Sequence, residues 1–492
     1  MSKDDKKLGM FALMGLVVGS SIGGGIFNAT RDVAQSAAAG PALLAWLVVG
    51  IGFWLLVVCM NNILAEKPEL GGIVEYAEAG FGKFWGFMSG WGYWLSAWLG
   101  NVAYAALLLS ALGNLVPAFS LTSNPTGPLG IDPHNIMPTM FISVVLWALV
   151  YLITRGVEGA AFINSLILVG KLVPLAVALV VFIVFFKVGV FTMGFWNNVA
   201  ENLEGGGADA SVFKQISGCF MVMIWVFVGV EGASIFSTRA KTKDIAAKAT
   251  TAGFFTLLGI YVLLSLLPYG VMSRAHLAEL GEPALAFVLG SVIGPVGSAL
   301  VNIGLIISLI GAFLSWTLLP TEALQQMARC NYLPKTFNTV NKFGAPVFSL
   351  VLTTVCTQIF MLTFIFPAFK VSGMTPYQFG FTLCSSAILI TWLLGALYRL
   401  KLGVVGAHKN VLYVLIGGGA SLFQIWMIFQ AGLTYILVSF ITYIPGFFMY
   451  YKARKRDGEA KPLGGLTGIW VALITAGGIA SIILLAVGVL SL

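Results

Sequence analysis

The chain has 492 residues, of which 59% are hydrophobic and only 9% charged. A soluble domain carries roughly 25% charged residues, and no soluble core would hide this much apolar surface, so lipid is the solvent for most of it. The net charge of +8 does not point to a nucleic-acid partner, because the basic residues fall in short loops between apolar runs, as membrane topology demands.

Crossing a bilayer as a helix takes about 20 apolar residues. On that scale the sequence predicts thirteen spans, at about 9–36, 40–65, 83–117, 137–154, 160–186, 213–238, 249–272, 284–320, 346–367, 377–399, 410–430, 432–451 and 467–490. The polar start MSKDDKK leads directly into the first, which reads as a retained span rather than a secretory signal. Only Gln430, Ala431 and Gly432 divide the eleventh span from the twelfth. The loops are connectors too short to fold alone. The expectation is therefore one membrane domain over 1–492, with core spans over about 9–399 and peripheral spans over about 410–490.

Orientation follows from Lys and Arg. With the N-terminus inside, the outer loops hold Arg31, Lys187, Lys214, Arg274 and Lys370, and Lys171 lies within a span. That leaves 21 of the 27 basic residues for the inner side. The bias predicts a multi-pass protein of a bacterial cell membrane with its N-terminus in the cytoplasm. Cys59, Cys219, Cys330, Cys356 and Cys384 form no CxxC pair, so neither a zinc site nor a disulfide framework is expected. The glycosylation-like triplet Asn28, Ala29, Thr30 lies at a span end and is set aside.

Two spans break the helical pattern. Span 1 contains GSSIGGGIF over 19–27, and three successive glycines in mid-span cost a helix about 1 kcal/mol each relative to alanine. Span 6 contains WVFVGVEGAS over 225–234, with an ionisable residue between two glycines. Corresponding interruptions in two halves point to an inverted-repeat transporter. An unwound stretch offers N–H groups at one half-helix end, which attract a carboxylate, and carbonyls at the other, which attract an ammonium. An α-amino acid carries both. The competing reading is that the glycines serve close helix packing.

Ionisable residues at membrane depth are functional candidates. Here they are Glu231, beside the span 6 break, and Lys171, in VGKLVP over 169–174. They form no nucleophile–base set, so no enzyme is expected, and no metal or cofactor. Trp225 lies just before the span 6 break and Trp316 sits in SWTLL over 315–319. An indole face attracts guanidinium or ammonium. Asn101, a mid-span amide, is suited to bonding a ligand or a neighbouring helix.

Five stretches together resemble the amino acid–polyamine–organocation superfamily, and most closely its basic amino acid/polyamine antiporters of the arginine/ornithine type. They are SSIGGGIF in span 1, PELGGIVEYAEAGFG from Pro68, WGYWLSAWLGN from Trp91, IWVFVGVEGASIFS from Ile224 and SWTLLPTEALQQMARCNYLP from Ser315. The resemblance covers about residues 7–455. It implies an all-α polytopic membrane protein, a LeuT-like 5+5 inverted repeat with broken spans 1 and 6 and about thirteen transmembrane helices. It also implies one site between spans 1, 3, 6 and 8.

Residue by residue, the resemblance implies that Trp225 closes over the substrate, Trp316 stacks on its cationic group and Asn101 contacts it. Glu231 is implied in proton sensing, gating or contact with the substrate, and Tyr93 in gating or packing. Lys171 would hold a place that sodium fills in coupled relatives. Where the arginine/agmatine type has a serine, this chain has Gly24. That leaves backbone N–H groups of Gly23, Gly24 and Gly25 for the carboxylate. Ser385 and Ser386 are the candidates in span 10.

The expected function is exchange of arginine for ornithine, with amino acids or amines and the bilayer as partners and no nucleic acid. The alternatives are exchange of an amino acid for its decarboxylation product (histidine/histamine or arginine/agmatine) and a sodium- or proton-coupled symporter of neutral amino acids. The tryptophan pair and Lys171 argue against sodium coupling.

Overall fold

A computed structural model describes residues 9–122, 127, 130–156, 161–196, 211–230, 240–366, 374–405 and 410–487. Its elements are α-helices with short 3-10 turns. In chain order the helices are α1 (Met10–Ser21), α2 (Ile26–Ser36), α3 (Ala39–Glu66), α4 (Ile73–Phe81), α5 (Lys83–Leu115), α6 (Ile136–Thr154), α7 (Ala161–Val184) and α8 (Val188–Thr192). Then follow α9 (Val212–Gly218), α10 (Phe220–Phe227), α11 (Lys243–Leu266), α12 (Arg274–Glu279), α13 (Ala284–Ile293) and α14 (Pro295–Arg329). The last are α15 (Val347–Met361), α16 (Pro376–Val405), α17 (Val411–Ala431), α18 (Leu433–Arg456) and α19 (Gly465–Ala486).

Among the described residues, eleven helices are long and apolar enough to cross a membrane, against thirteen spans expected. The difference lies where the sequence breaks. Span 1 is two short helices, α1 and α2, and span 6 is present as the short apolar stretch Val212–Phe227. One expected span is corrected. The stretch 284–320 is not a single helix: α13 ends at Ile293, Gly294 takes φ +73°, and α14 runs on to Arg329. Gly294 followed by Pro295 explains the break, since glycine accepts positive φ and proline opens a helix better than it continues one. Gly432, at φ +85°, divides α17 from α18 where the sequence suggested.

Burial separates the helices by role. The most apolar window of α5 is 89% buried and that of α16 83%, against 17% for α19. The chain forms two compact units. The first contains Met1–Val57, Tyr104–Thr122 and Ala160–Ala312, and the second Val58–Ala103, Ser123–Gly159 and Phe313–Leu492.

In the first unit α2 is fastened on several sides. Asn28 Oδ1 accepts from the N–H of Ala284 at 3.0 Å, and Thr30 donates to the Leu264 carbonyl at 2.9 Å. Arg274 Nε donates to the Ala34 carbonyl and the Tyr269 hydroxyl to the Ala37 carbonyl, both at 2.8 Å. Arg31 pairs with Glu282 at 2.8 Å. In the second unit α16 packs on α4 and α17. There the fully buried Arg399 pairs with Glu66 at 2.5 Å and lies 3.9 Å above the Tyr413 ring. These are the fixed frames in which the span 1 break and the α5–α14 contact are held.

Candidate functional site

The first unit holds the span 1 break. α1 stops at Ser21 because the glycines that follow add no side-chain packing and cost backbone entropy. Across the break the Gly23 N–H donates to the Ser21 carbonyl at 2.9 Å. Phe27 donates to Gly24, and Asn28 and Ala29 to Gly25, opening α2. The N–H groups of Gly24, Gly25 and Ile26 meet no acceptor among the described residues. They are orphan donors at the start of an eleven-residue helix, where the dipole favours a negative charge. The acceptor-seeking set is therefore Gly24, Gly25 and Ile26, with Gly23 engaged inside the break.

The carbonyl end of α1 is already served. Lys171 Nζ donates to the carbonyls of Gly19 at 2.7 Å and Ile22 at 2.9 Å. The Tyr261 hydroxyl donates to the Ser21 carbonyl at 3.1 Å. Lys171 is only 4% exposed, so its ammonium is a fixed cation at the negative end of a half-helix. Among the described residues its partners are these carbonyls, with no carboxylate.

The three glycines also meet side chains closely. A Cβ on Gly23 would strike the Tyr104 hydroxyl. One on Gly24 would lie 2.6 Å from Leu107 Cδ2, and one on Gly25 2.7 Å from Cδ1 and Nε1 of the Trp225 indole. The close-packing reading of the triplet thus holds here together with the open N–H groups. Trp225 lies on the last full turn of α10, and its ring packs on Tyr104 at 5.3 Å between centroids. Just beyond, the chain leaves the helix through Gly229 at φ +110°, a conformation that strains any side chain. Glu231 lies outside the described residues.

In the second unit Asn101 on α5 meets Trp316 on α14. Asn101 Nδ2 donates to the Trp316 carbonyl and to Thr317 Oγ1, both at 3.3 Å. The Trp316 carbonyl lacks its usual helical donor, because residue 320 is proline and has no N–H to return to it. Asn101 Oδ1 is buried and meets no donor among the described residues. It is an acceptor suited to an ammonium or guanidinium. Trp316 is 3% exposed and so is Tyr93, eight residues before Asn101 on α5. Ser385 and Ser386 are buried on α16, where Ser386 turns back to the Thr382 carbonyl at 2.8 Å.

The structure thus brings Gly23, Gly24, Gly25, Trp225 and Lys171 together in one unit, and Asn101 with Trp316 in the other. Sequence reasoning missed Tyr104, Tyr261 and Thr317. Tyr104 had a signal: it follows Asn101 by three residues, one helical turn. Tyr261 had none, because only the fold brings its hydroxyl to span 1. Among the described residues no group of three His, Cys, Asp or Glu could hold a metal ion.

The family model described as amino acid permease matches residues 8–491. The chain is 44% identical to an arginine/ornithine antiporter of Latilactobacillus sakei over 486 residues, covering 96% of this chain and 98% of that one. It is 42% identical to an arginine/ornithine antiporter of Lactococcus lactis subsp. cremoris, covering 93% and 86%. It is 38% identical to an arginine/ornithine antiporter of Pseudomonas aeruginosa, covering 93% of each.

Proposed function

The chain belongs to the amino acid permease family, and we propose that it is an exchanger of arginine for ornithine in a bacterial cell membrane. The observation that carries the amino-acid reading is the set of three unengaged N–H groups on Gly24, Gly25 and Ile26 at the start of α2. A substrate carboxylate there receives donors the fold leaves open and the favourable end of a helix dipole. The Trp225 indole, which lies against Gly25, caps that end of the substrate. In the second unit Asn101 Oδ1 and the Trp316 ring are assigned to a cationic group. The choice of arginine and ornithine is supported by the names of the relatives at 38–44% identity.

We assign the architecture to a LeuT-like 5+5 inverted repeat of thirteen spans forming one transport domain, with spans 1 and 6 broken, and the N-terminus to the cytoplasm. The asymmetry of Lys and Arg supports that orientation; labelling of an Arg456→Cys variant from the outer side of intact cells would overturn it. Tyr93 and Glu231 are assigned to gating. Lys171 replaces a coupling cation, so exchange needs no sodium. Obligatory exchange requires that substrate contact lower the barrier to reorientation, the logic of differential binding. Arginine and ornithine each carry one net positive charge, so their exchange moves none.

The test uses purified protein in liposomes loaded with ornithine, with uptake of labelled arginine as the readout and the membrane potential clamped. Internal ornithine should drive uptake at every potential. Uptake driven instead by internal agmatine or histamine, with voltage dependence, would make the protein a precursor/product exchanger. Uptake into empty vesicles would refute exchange itself.

A further inference from the structure

Beyond the transport site, one surface gathers charge that no part of the exchange reading uses. α18 ends at Arg456, and a polar loop over 457–464 leads into α19. The stretch 452–461 holds five basic residues, Lys452, Arg454, Lys455, Arg456 and Lys461, against two acidic ones, Asp457 and Glu459, for a net charge of +3. The acids do not serve the exposed cations. Arg454, only 3% exposed, takes both: Nη1 meets Asp457 at 2.6 Å and Nε meets Glu459 at 2.7 Å. Asn331 adds a bond to the other oxygen of Asp457 at 2.9 Å. The remaining four cations are exposed and have no ion-pair partner among the described residues.

These cations stand beside lipid-facing apolar groups. Phe448, Lys452, Lys455 and Arg456 follow at spacings that share one helical face. Phe448 is exposed, and Lys452 Nζ lies 4.3 Å from its ring centroid. At the start of α19, the exposed Trp470 meets Trp85 edge to face at 5.5 Å. Paired indoles of this kind sit at headgroup level in a bilayer. Exposed apolar side chains, a pair of indoles and four cations without ion-pair partners among the described residues, on adjoining segments, match one chemistry: acyl chain, glycerol and a negative phosphate.

We propose that the α18–α19 surface binds the headgroup of an anionic phospholipid, with Lys452, Lys455, Arg456 and Lys461 as its cations. A buried arginine that draws both acids inward is what keeps the outer charge single-signed. Two other basic residues are engaged locally: Lys248 pairs with Asp244, and Lys401 bonds the Gly80 carbonyl.

The test uses the full chain in phosphatidylcholine nanodiscs doped with brominated phosphatidylglycerol or brominated phosphatidylcholine. The readout is the quenching of tryptophan fluorescence that disappears in a Trp470→Phe variant. Each cation near an anionic surface contributes about fivefold, so with four cations the wild type should prefer the anionic lipid by about 600-fold. The double variant Lys455→Gln, Arg456→Gln should fall about 25-fold, and further substitution of Lys452→Gln and Lys461→Gln should abolish the preference. The double variant keeps the test sound if the fourfold change impairs folding. Equal quenching by the two lipids overturns the proposal, as does a preference that survives the double variant unchanged. Displacement of the lipid by inorganic phosphate would show a free-anion site in place of a lipid one.

Discussion

At the span 1 break of the first unit the open groups are main-chain donors, the N–H groups of Gly24, Gly25 and Ile26. In the second unit the open group is a side-chain acceptor, the Oδ1 of Asn101, beside Trp316. The two kinds respond differently to sequence change. A main-chain donor has no side chain to replace, so only a disturbance of the backbone or of its packing removes it. A side-chain group can be altered atom by atom, and its loss is graded. The first arrangement suits what every α-amino acid shares; the second suits what distinguishes one cationic substrate from another.

The sharpest way to break this contrast is Gly25→Ala. The new methyl would sit 2.7 Å from the Trp225 indole, and overpacking of this kind costs about 1–3 kcal/mol and shifts backbone. Exchange should fall by more than about a hundredfold for every substrate tested, in protein that still elutes as a single species. Loss confined to one substrate would refute a shared main-chain site.

Lys171→Met comes next. It strips the ammonium from the carbonyls of Gly19 and Ile22, and a buried acceptor left unmade costs about 1–3 kcal/mol. Exchange should drop by about 30–100-fold with a lowered melting temperature, as measured by liposome uptake and thermal unfolding in detergent. Unchanged activity would mean that the break needs no fixed cation.

Asn101→Leu should raise KM by about tenfold, because it removes the open acceptor and the hydrogen bond to the Trp316 carbonyl. Trp316→Phe keeps an aromatic face but weakens the attraction for a cation, for a loss of about fivefold. In both variants the effect should be larger for arginine than for a neutral analogue in competition uptake. Equal effects would assign the pair to structure alone.

The smallest effect is expected from Tyr104→Phe. It retains the ring packed on Trp225 and deletes a hydroxyl, so uptake should change by less than about threefold, whereas Tyr104→Leu should cost about tenfold through the lost aromatic contact.

Lys171, Gly24 and Asn101 were visible as candidates in the sequence because each is improbable where it stands, an ammonium and an amide at membrane depth and a glycine run in mid-span, and Trp316 through the SWTLL stretch that carries the resemblance. Their partners were not visible. Gly19 and Lys171 are 152 residues apart in sequence, and Asn101 and Trp316 are 215. No local rule pairs residues so distant. Residue 320 is plainly a proline in the sequence, yet that its missing N–H opens the Trp316 carbonyl to Asn101 follows only once α5 lies beside α14.

What the sequence determines by itself is the class of solvent, most of the apolar spans and the break in span 1, because these depend on composition and neighbouring residues; the division of 284–320 at Gly294 was read only from the structure. The 59% apolar content demands lipid, and the glycine run ends α1. What the tertiary structure decides is which of the freed polar groups stay open. The Gly23 N–H turns back to Ser21, and Lys171 and Tyr261 fill the carbonyl end of α1. The donors of Gly24, Gly25 and Ile26 and the Oδ1 of Asn101 are left over. A hydrogen bond needs its partner within about 3 Å and well aligned, and only the packing of distant segments sets that distance.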